Sequence, residues 1–200
     1  MEIPRHVILF GRAPRLGQVK QRLSKDIGQP AAWAFYRRNF RNIARRLAYD
    51  QRWKLWLAIT PDNFKYKEPF FPNNIPILCQ GQGELGIRMY RCLSKFCPHP
   101  TLLVGTDIPS IKPEIVWQAF KYLNGNDAVF GPAFDGGYWL VGLRPRLLMS
   151  NPFNEITWSR SDTLEKTIGS LPLNTRIKVV KRLHDVDDGK SYYNFYHHQH

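Results

Sequence analysis

Four groups of residues in this 200-residue chain carry side chains suited to phosphate or a divalent cation. The first is Gly11–Leu23, GRAPRLGQVKQRL, in which Gly11 and Gly17 stand among Arg12, Arg15, Lys20 and Arg22. Glycines let backbone amides approach an anion, and ammonium and guanidinium groups match its charge, which is the chemistry a pyrophosphate needs. The loop is not a Walker A loop: the spacing from Gly17 to Lys20 is wrong and no Ser or Thr follows the lysine. A solvated basic loop is the plainer reading of the same letters.

The second group is Gly105-Thr106-Asp107-Ile108-Pro109, with an acid at the tip of an apolar run. A carboxylate there can hold a divalent ion that bridges two phosphates, or can simply cap the following helix. The third, Gly131–Trp139 (GPAFDGGYW), pairs Asp135 with Gly136 and Gly137. Asp135 can accept sugar hydroxyl hydrogen bonds and Gly-Gly permits close backbone approach, while the same letters also describe a hairpin turn. The fourth is His184–Asp188 (HDVDD), where strand alternation turns Asp185 and Asp187 to one side. With Asp107 they offer the oxygen ligands that Mg²⁺ or Mn²⁺ prefers.

Gly81, Gly83 and Gly86 form a literal GxGxxG with Asp107 about 20 residues further on, as a dinucleotide fingerprint asks. The preceding strand is only the third in order, however, and Ile-Pro follows the acid. A lone match of this kind does not make an NAD site.

In open α/β sheets ligands collect beyond the carboxyl ends of strands, so the apolar runs preceding these groups must supply the frame. His6–Phe10, Trp53–Ile59, Ile75–Cys79, Thr101–Gly105, Ala128–Phe130 and Tyr138–Leu143 read as strands, with a last one around Arg176–Val180. A Pro/Asn-rich loop runs through Asn74 between the second and third. From Pro30 to Tyr49, Tyr36, Phe40, Ile43 and Leu47 recur at helical spacing, and the rest of that surface is basic, with Arg37, Arg38, Arg41, Arg45 and Arg46. Glu84–Phe96 and Pro113–Leu123 are further helices, and another carries Leu164 and Ile168. The aromatic end (Tyr192, Tyr193, Phe195, Tyr196, with His197, His198 and His200) has the chemistry to stack bases or bind metal, but reads better as a packed terminal helix. Repeated βα units predict a mostly parallel sheet covered on both faces.

With 43% apolar and 14% aromatic residues, the chain suits one globular domain spanning 1–200. Cys79, Cys92 and Cys97 form no CxxC pair and are odd in number, which argues against a disulfide framework or a zinc site. No stretch of about 18 apolar residues occurs, and the expectation is a cytoplasmic chain without a membrane span. The net charge of +13 is concentrated in residues 1–80, which hold 15 Lys/Arg against 5 Asp/Glu. Such an imbalance favours phosphates, nucleic acid or an acidic membrane surface and does not choose among them.

Taken in order, GRAPRLGQVKQRL, QGQGELGIRM, LLVGTDIPSI, GPAFDGGYWLVGL, FNEITWSR and LHDVD resemble a bacterial family of small glycosyltransferase-A-like transferases, often associated with radical-SAM proteins. The resemblance runs from Val7 to about Asp188, and TDIP with DGGYWLVGL is its most specific part. It implies a Rossmann-like, mostly parallel sheet of the nucleotide-diphospho-sugar transferase type. Gly11, Arg12, Gly17, Lys20 and Arg22 would hold donor phosphates, and Gly83, Leu85 and Arg88 would lie beside the nucleotide. Asp107 and Asp187, with Asp185, would hold Mg²⁺ or Mn²⁺, and Asp107 and Asp135 would be catalytic. Gly136, Gly137, Tyr138 and Trp158 would line the substrate pocket, although Trp158-Ser159-Arg160 has the alternative role of a helix cap. The chain departs from the family pattern at Asn42-Ile43, where an Asp-Thr is expected, at Ile87, which replaces an acid, and at Gly189-Lys190-Ser191.

The implied activity is glycosyl transfer from a nucleotide sugar to a small-molecule acceptor. Nucleotidyl transfer of the phospholactate guanylyltransferase type is the nearest alternative. Binding of nucleic acid by the basic first half is a further one, without a recognised nucleic-acid motif to support it.

Overall fold

The computed structural model describes residues 3–64, 70–72 and 75–197. Parts of the loop before Asn74, and His198 and His200 of the aromatic end, lie outside the described residues. The central strand is β1 (His6–Arg12), an apolar run that pairs in parallel with β2 (Lys54–Thr60) on one side and β4 (Thr101–Gly105) on the other. Beyond β2 lies β3 (Ile77–Leu78), and beyond β4 come β6 (Tyr138–Leu143), β5 (Ala128–Pro132) and β7 (Ile177–Val179), in the order β3-β2-β1-β4-β6-β5-β7. Only β6 runs against its neighbours, so the sheet is mostly parallel with one reversed strand.

Alternation along the strands builds two cores. Val7, Leu9, Leu57, Leu102, Val104 and Leu140 face one side, where they meet α2 (Gln29–Ala48) and α4 (Pro113–Gly125). Ile8, Ala58, Leu103, Phe130 and Val141 face the other, under α3 (Leu85–Ser94) and the Phe153 segment. The α2 stripe expected from its spacing is the buried one: Tyr36, Phe40, Ile43 and Leu47 are all nearly solvent-free. Each such large side chain stabilises the fold by about 1.5–3 kcal/mol. Pro30 in the first turn and the Gly28 start suit a helix N-terminus.

Three elements differ from the sequence reading. The third strand shrinks from Ile75–Cys79 to Ile77–Leu78, an edge position where Ile77 stays largely exposed. A seven-residue α1 (Gln21–Ile27) appears inside the basic loop, with Leu23 as its one fully buried side chain, so it had no stripe to read. A short 3₁₀ turn occupies Pro145–Leu148. The helix carrying Leu164 and Ile168 is α5 (Thr163–Gly169), and the aromatic end forms α6 (Gly189–His197), with Tyr192 and Phe195 edge-on to Phe35. No helix among the described residues is long and apolar enough to cross a membrane.

Candidate active site

The carboxyl ends of β1, β4 and the β5–β6 hairpin deliver their following residues to one place. A separate segment, Leu183–Asp188, is threaded between them by backbone hydrogen bonds. Leu183 N–H donates to Pro132 O at 3.1 Å, Phe134 N–H to Leu183 O at 3.2 Å, and Val186 N–H to Asp107 O at 3.3 Å. Asp185 and Asp187 are thereby inserted between the Asp107 loop and the Asp135 turn.

Carboxylate oxygens of Asp135, Asp185 and Asp187 lie within 4.8 Å of one another. Asp107 is joined to this group through a cation: Lys20 Nζ sits 2.6 Å from Asp107 Oδ1 and 2.5 Å from Asp187 Oδ1, with its side chain only 5% exposed. Lys20 reaches in from a left-handed backbone (φ 50°) immediately before α1, a strained conformation for a residue with a β-carbon. Burial opposes its charge, but the two carboxylates outweigh that and hold its pKa above the ordinary lysine value. Asp187 is half-buried, which raises its carboxyl, yet Lys20 keeps it below the usual range. Burial, followed by the charges of Asp135 and Asp187, pushes Asp185 up to about 6.

The Asp135 turn is indeed a hairpin turn. Ala133 N–H donates to Gly137 O, and Asp135 Oδ1 accepts from Gly137 N–H at 2.8 Å. The turn nevertheless opens onto chemistry. A cavity of about 250 Å³ is lined by Asp107, Asp135, Gly137, Tyr138, Asp185 and Asp187, and also by Leu85 and Trp158. Gly136 does not line it. With φ 88° and Ser161 O at 1.9 Å from where a β-carbon would stand, Gly136 allows α5 to close against the turn. Trp158 lies edge-on to Tyr138 at 6.3 Å instead of capping α5, whose N-cap residue is Asp162.

A second cavity, of about 670 Å³, opens on the other side of the end of β1, with Arg12, Asp62, Gly83 and Arg88 in its lining. Leu85 and Arg88, consecutive turns of α3, thus face different cavities. Gly86 fits the packing of α3: a β-carbon there would come within 2.6 Å of Phe153 O. The Gly81–Gly86 run therefore follows the edge strand β3 and packs its helix against Phe153 and Trp158. Gly17 is exposed on the loop and Arg22 on the first turn of α1, and Gly11 lies at the end of β1 against Thr106, whose methyl would be 2.8 Å from an added β-carbon.

Several positioning residues gave no signal in the sequence. Gln80 is fully buried: its Nε2 donates to Gly11 O at 2.8 Å and Ala58 O at 2.7 Å, while its Oε1 accepts from Arg88 at 2.6 Å. It ties β1, β2 and α3 together at the mouth of the larger cavity. Asp62 accepts the Gln80 and Gly81 amides. Tyr36 was counted with the apolar stripe of α2, but its hydroxyl joins Arg12 to Thr106 Oγ1 at 3.1 Å, and Asn39 Nδ2 donates to Thr106 O at 2.8 Å. These bonds fix the loop that presents Asp107.

The family described as "Uncharacterized protein conserved in bacteria (DUF2064)" matches residues 43–160. No curated protein matches the chain in sequence. Among solved structures, a Desulfovibrio desulfuricans G20 protein provisionally described as a nucleotide-diphospho-sugar transferase is 26% identical, with a TM-score of 0.82 over 98% of this chain and 87% of that one. The 4-diphosphocytidyl-2C-methyl-D-erythritol synthase of Anaerococcus prevotii DSM 20548 shares the fold at 11% identity and TM-score 0.61, covering 99% of both chains. So does glucosyl-3-phosphoglycerate synthase of Mycobacterium tuberculosis, solved with Mn²⁺, uridine diphosphate and glucosyl-3-phosphoglycerate, at 11% identity and TM-score 0.58, over 96% of this chain and 75% of that one.

Proposed function

Because the chain belongs to this conserved bacterial family, DUF2064, and resembles a nucleotide-diphospho-sugar transferase over nearly its whole length, we propose that it transfers a sugar from a nucleotide-activated donor with the help of a divalent cation. The observation that carries this reading is the convergence of Asp135, Asp185 and Asp187 beside the Lys20–Asp107 pair. A donor set made only of carboxylate oxygens suits a hard cation such as Mg²⁺ or Mn²⁺. Asp185 and Asp187 would hold the ion with Asp135 beside them, and Asp107 would join when Lys20 turns away. When bound, such an ion supplies Lewis-acid neutralisation of pyrophosphate charge.

The remaining work falls to the chain itself. Lys20, Arg12 and Arg22, with the Gly11 and Gly17 amides, offer positive charge to the donor phosphates and to the departing nucleoside diphosphate. The larger cavity, with Gly83 and Arg88, is the seat we assign to the nucleoside, and Gln80 holds Arg88 in place. The smaller cavity, walled by Tyr138 and Trp158, is assigned to the transferred group, with Asp135 and Gly137 at its polar end. The two cavities flank the end of β1, so a donor lying across Gly11 and Arg12 would place its phosphates over the carboxylates.

The test is calorimetry with a panel of nucleotide sugars and Mn²⁺, on the native chain and on Asp187→Asn. We expect cation-dependent binding of at least one nucleotide sugar and its loss in the variant; no binding, or equal binding by both proteins, would sink the proposal. The fold is also shared with a nucleotidyl-transferring synthase. Product analysis separates the two activities, because nucleotidyl transfer from a triphosphate releases pyrophosphate and sugar transfer releases a nucleoside diphosphate.

A further inference from the structure

The carboxylate site leaves unused a strongly positive feature of the molecule, the outer surface of α2, with Arg37, Arg38, Arg41, Arg45 and Arg46. This helix contains no carboxylate in 20 residues. Among the described residues, none of its arginines forms an ion pair. Three of them, Arg38, Arg45 and Arg46, converge with Asn42 on a cavity of about 410 Å³ bounded by α2, α6 and the Thr106–Pro109 loop. That volume lies within the range of small-molecule sites.

Among the described residues the arginines have only neutral partners. Arg46 is half-buried and donates to Pro109 O at 2.7 Å and to Asn42 O at 3.3 Å. Burial, and then the charge of neighbouring Arg45, pull its pKa below the ordinary arginine value. Arg38 donates to the Tyr196 hydroxyl at 2.8 Å. Clustered like charges without a counter-charge repel one another, and a guanidinium half out of water without a carboxylate is poorly compensated. Planar guanidinium groups gathered around a hollow match the oxygens of a phosphate, and Asn42 adds an amide. Phe35 and Tyr196 supply an apolar wall for the carbon part of a ligand.

We infer that this cavity is a binding site for a small molecule bearing a phosphate or pyrophosphate group, separate from the carboxylate site. Its concave shape favours a small ligand over a polymer lying along the helix. Of the two exposed arginines of α2 outside the cavity, Arg37 and Arg41, Arg37 is engaged with the rings of Trp33 and Phe70 at 5.5 and 4.8 Å. The cavity backs onto the loop that presents Asp107: Arg46 holds Pro109 O and Asn39 holds Thr106 O. The two sites thus share one loop and lie on different sides of it.

The experiment is an NMR titration of the ¹⁵N-labelled chain with inorganic pyrophosphate in EDTA, which keeps divalent cations out. The side-chain signals of Asn42 and Arg46 report on this cavity, and the backbone amides of Gly11 and Gly17 report on the donor loop. We expect saturable shifts at Asn42 and Arg46 that weaken by roughly tenfold or more in Arg38→Gln/Arg45→Gln, since both substitutions remove charge-assisted hydrogen bonds to the phosphate oxygens. Shifts at Gly11 and Gly17 should be unaltered by the same substitutions. Should the double variant loosen α6, Arg45→Gln alone serves, as it removes only an exposed side chain. The inference is overturned if pyrophosphate moves only Gly11 and Gly17, or saturates Asn42 equally in native and variant chains. It is equally overturned if Asn42 answers only to an oligonucleotide or to anionic vesicles, which would make this a polymer or membrane surface.

Discussion

Two carboxylate groupings stand at opposite ends of strand β5, and they are built on opposite principles. At the amino end, Asp127 is 4% exposed and saturated with donors, one amide and two cations: Arg176 N–H at 2.9 Å, the Arg176 guanidinium at 3.3 Å and the Arg146 guanidinium at 2.6 Å. The Arg176 amide, followed by the side chains of Arg176 and Arg146, holds its carboxyl below the usual range. At the carboxyl end, Asp107 and Asp187 share one buried ammonium, Asp135 and Asp185 stand beside Asp187, and Asp185 rises to about 6. A balanced grouping serves to close a structure. One left with surplus negative charge, at the end of a parallel sheet where ligands collect, has the charge and the place that suit a cation.

The largest test of this contrast is Asp187→Ala. Removing the carboxylate that both faces Lys20 and belongs to the three-oxygen cluster should weaken Mn²⁺ binding by roughly a hundredfold or more, given the several kcal/mol a metal contributes at such a site. Manganese electron paramagnetic resonance reads this directly, and an unchanged affinity would reduce the cluster to surface acids. Lys20→Met should act in the opposite direction. Its ammonium competes for Asp187 in the metal-free protein, so removing it should tighten Mn²⁺ binding by about tenfold while weakening nucleotide-sugar binding by a similar factor. A fall in both affinities would mean that Lys20 props the carboxylates in place and does not compete with the ion.

The sequence exposed the parts of this site better than its wiring. Asp107, Asp135, Asp185 and Asp187 could be picked out because each follows an apolar run, and the central strands appear nearly where their runs predict. What it did not expose is that Lys20, 167 residues from Asp187, would lie between carboxylates. That depends on a left-handed residue ahead of a seven-residue helix whose single buried anchor, Leu23, leaves no periodic trace. The pairing of Asp135 with Asp185 was equally hidden, since nothing local says that Leu183 will run beside Ala133. Tyr36 and Gln80 escaped for another reason. A tyrosine on an apolar stripe and a glutamine before a glycine look the same whether or not their polar ends are satisfied by distant backbone, and only burial distinguishes them.

A smaller effect concerns pH. The Asp185 carboxyl titrates near 6 in the folded chain and near 3.8 when free of its neighbours. A raised folded pKa means that its contribution to stability is present at low pH and lost as pH rises through about 6. The metal-free protein should therefore lose stability between about pH 4 and 6 from this group, and Asp185→Asn should flatten that part of the profile in chemical denaturation. Over the same interval Mn²⁺ affinity should climb, because the ion needs the ionised carboxylate. A stability curve that Asp185→Asn leaves untouched would show that Asp185 has an ordinary carboxyl.

The smallest expected change at the site comes from the balanced grouping. Asp127→Asn keeps the size of the side chain and an oxygen for the Arg176 amide, but removes the counter-charge for Arg146 and Arg176. Melting should fall by a few degrees, as an unpaired guanidinium pair and a weakened β5–β7 junction predict. Mn²⁺ affinity should stay within error of the native chain, since the Asp127 end of β5 shares no partner with the Asp135 end and distant independent sites do not couple. If Asp127→Asn weakens Mn²⁺ binding as much as it lowers melting, the two ends of β5 communicate through the strand, and the division into a closing charge group and a receiving one is wrong.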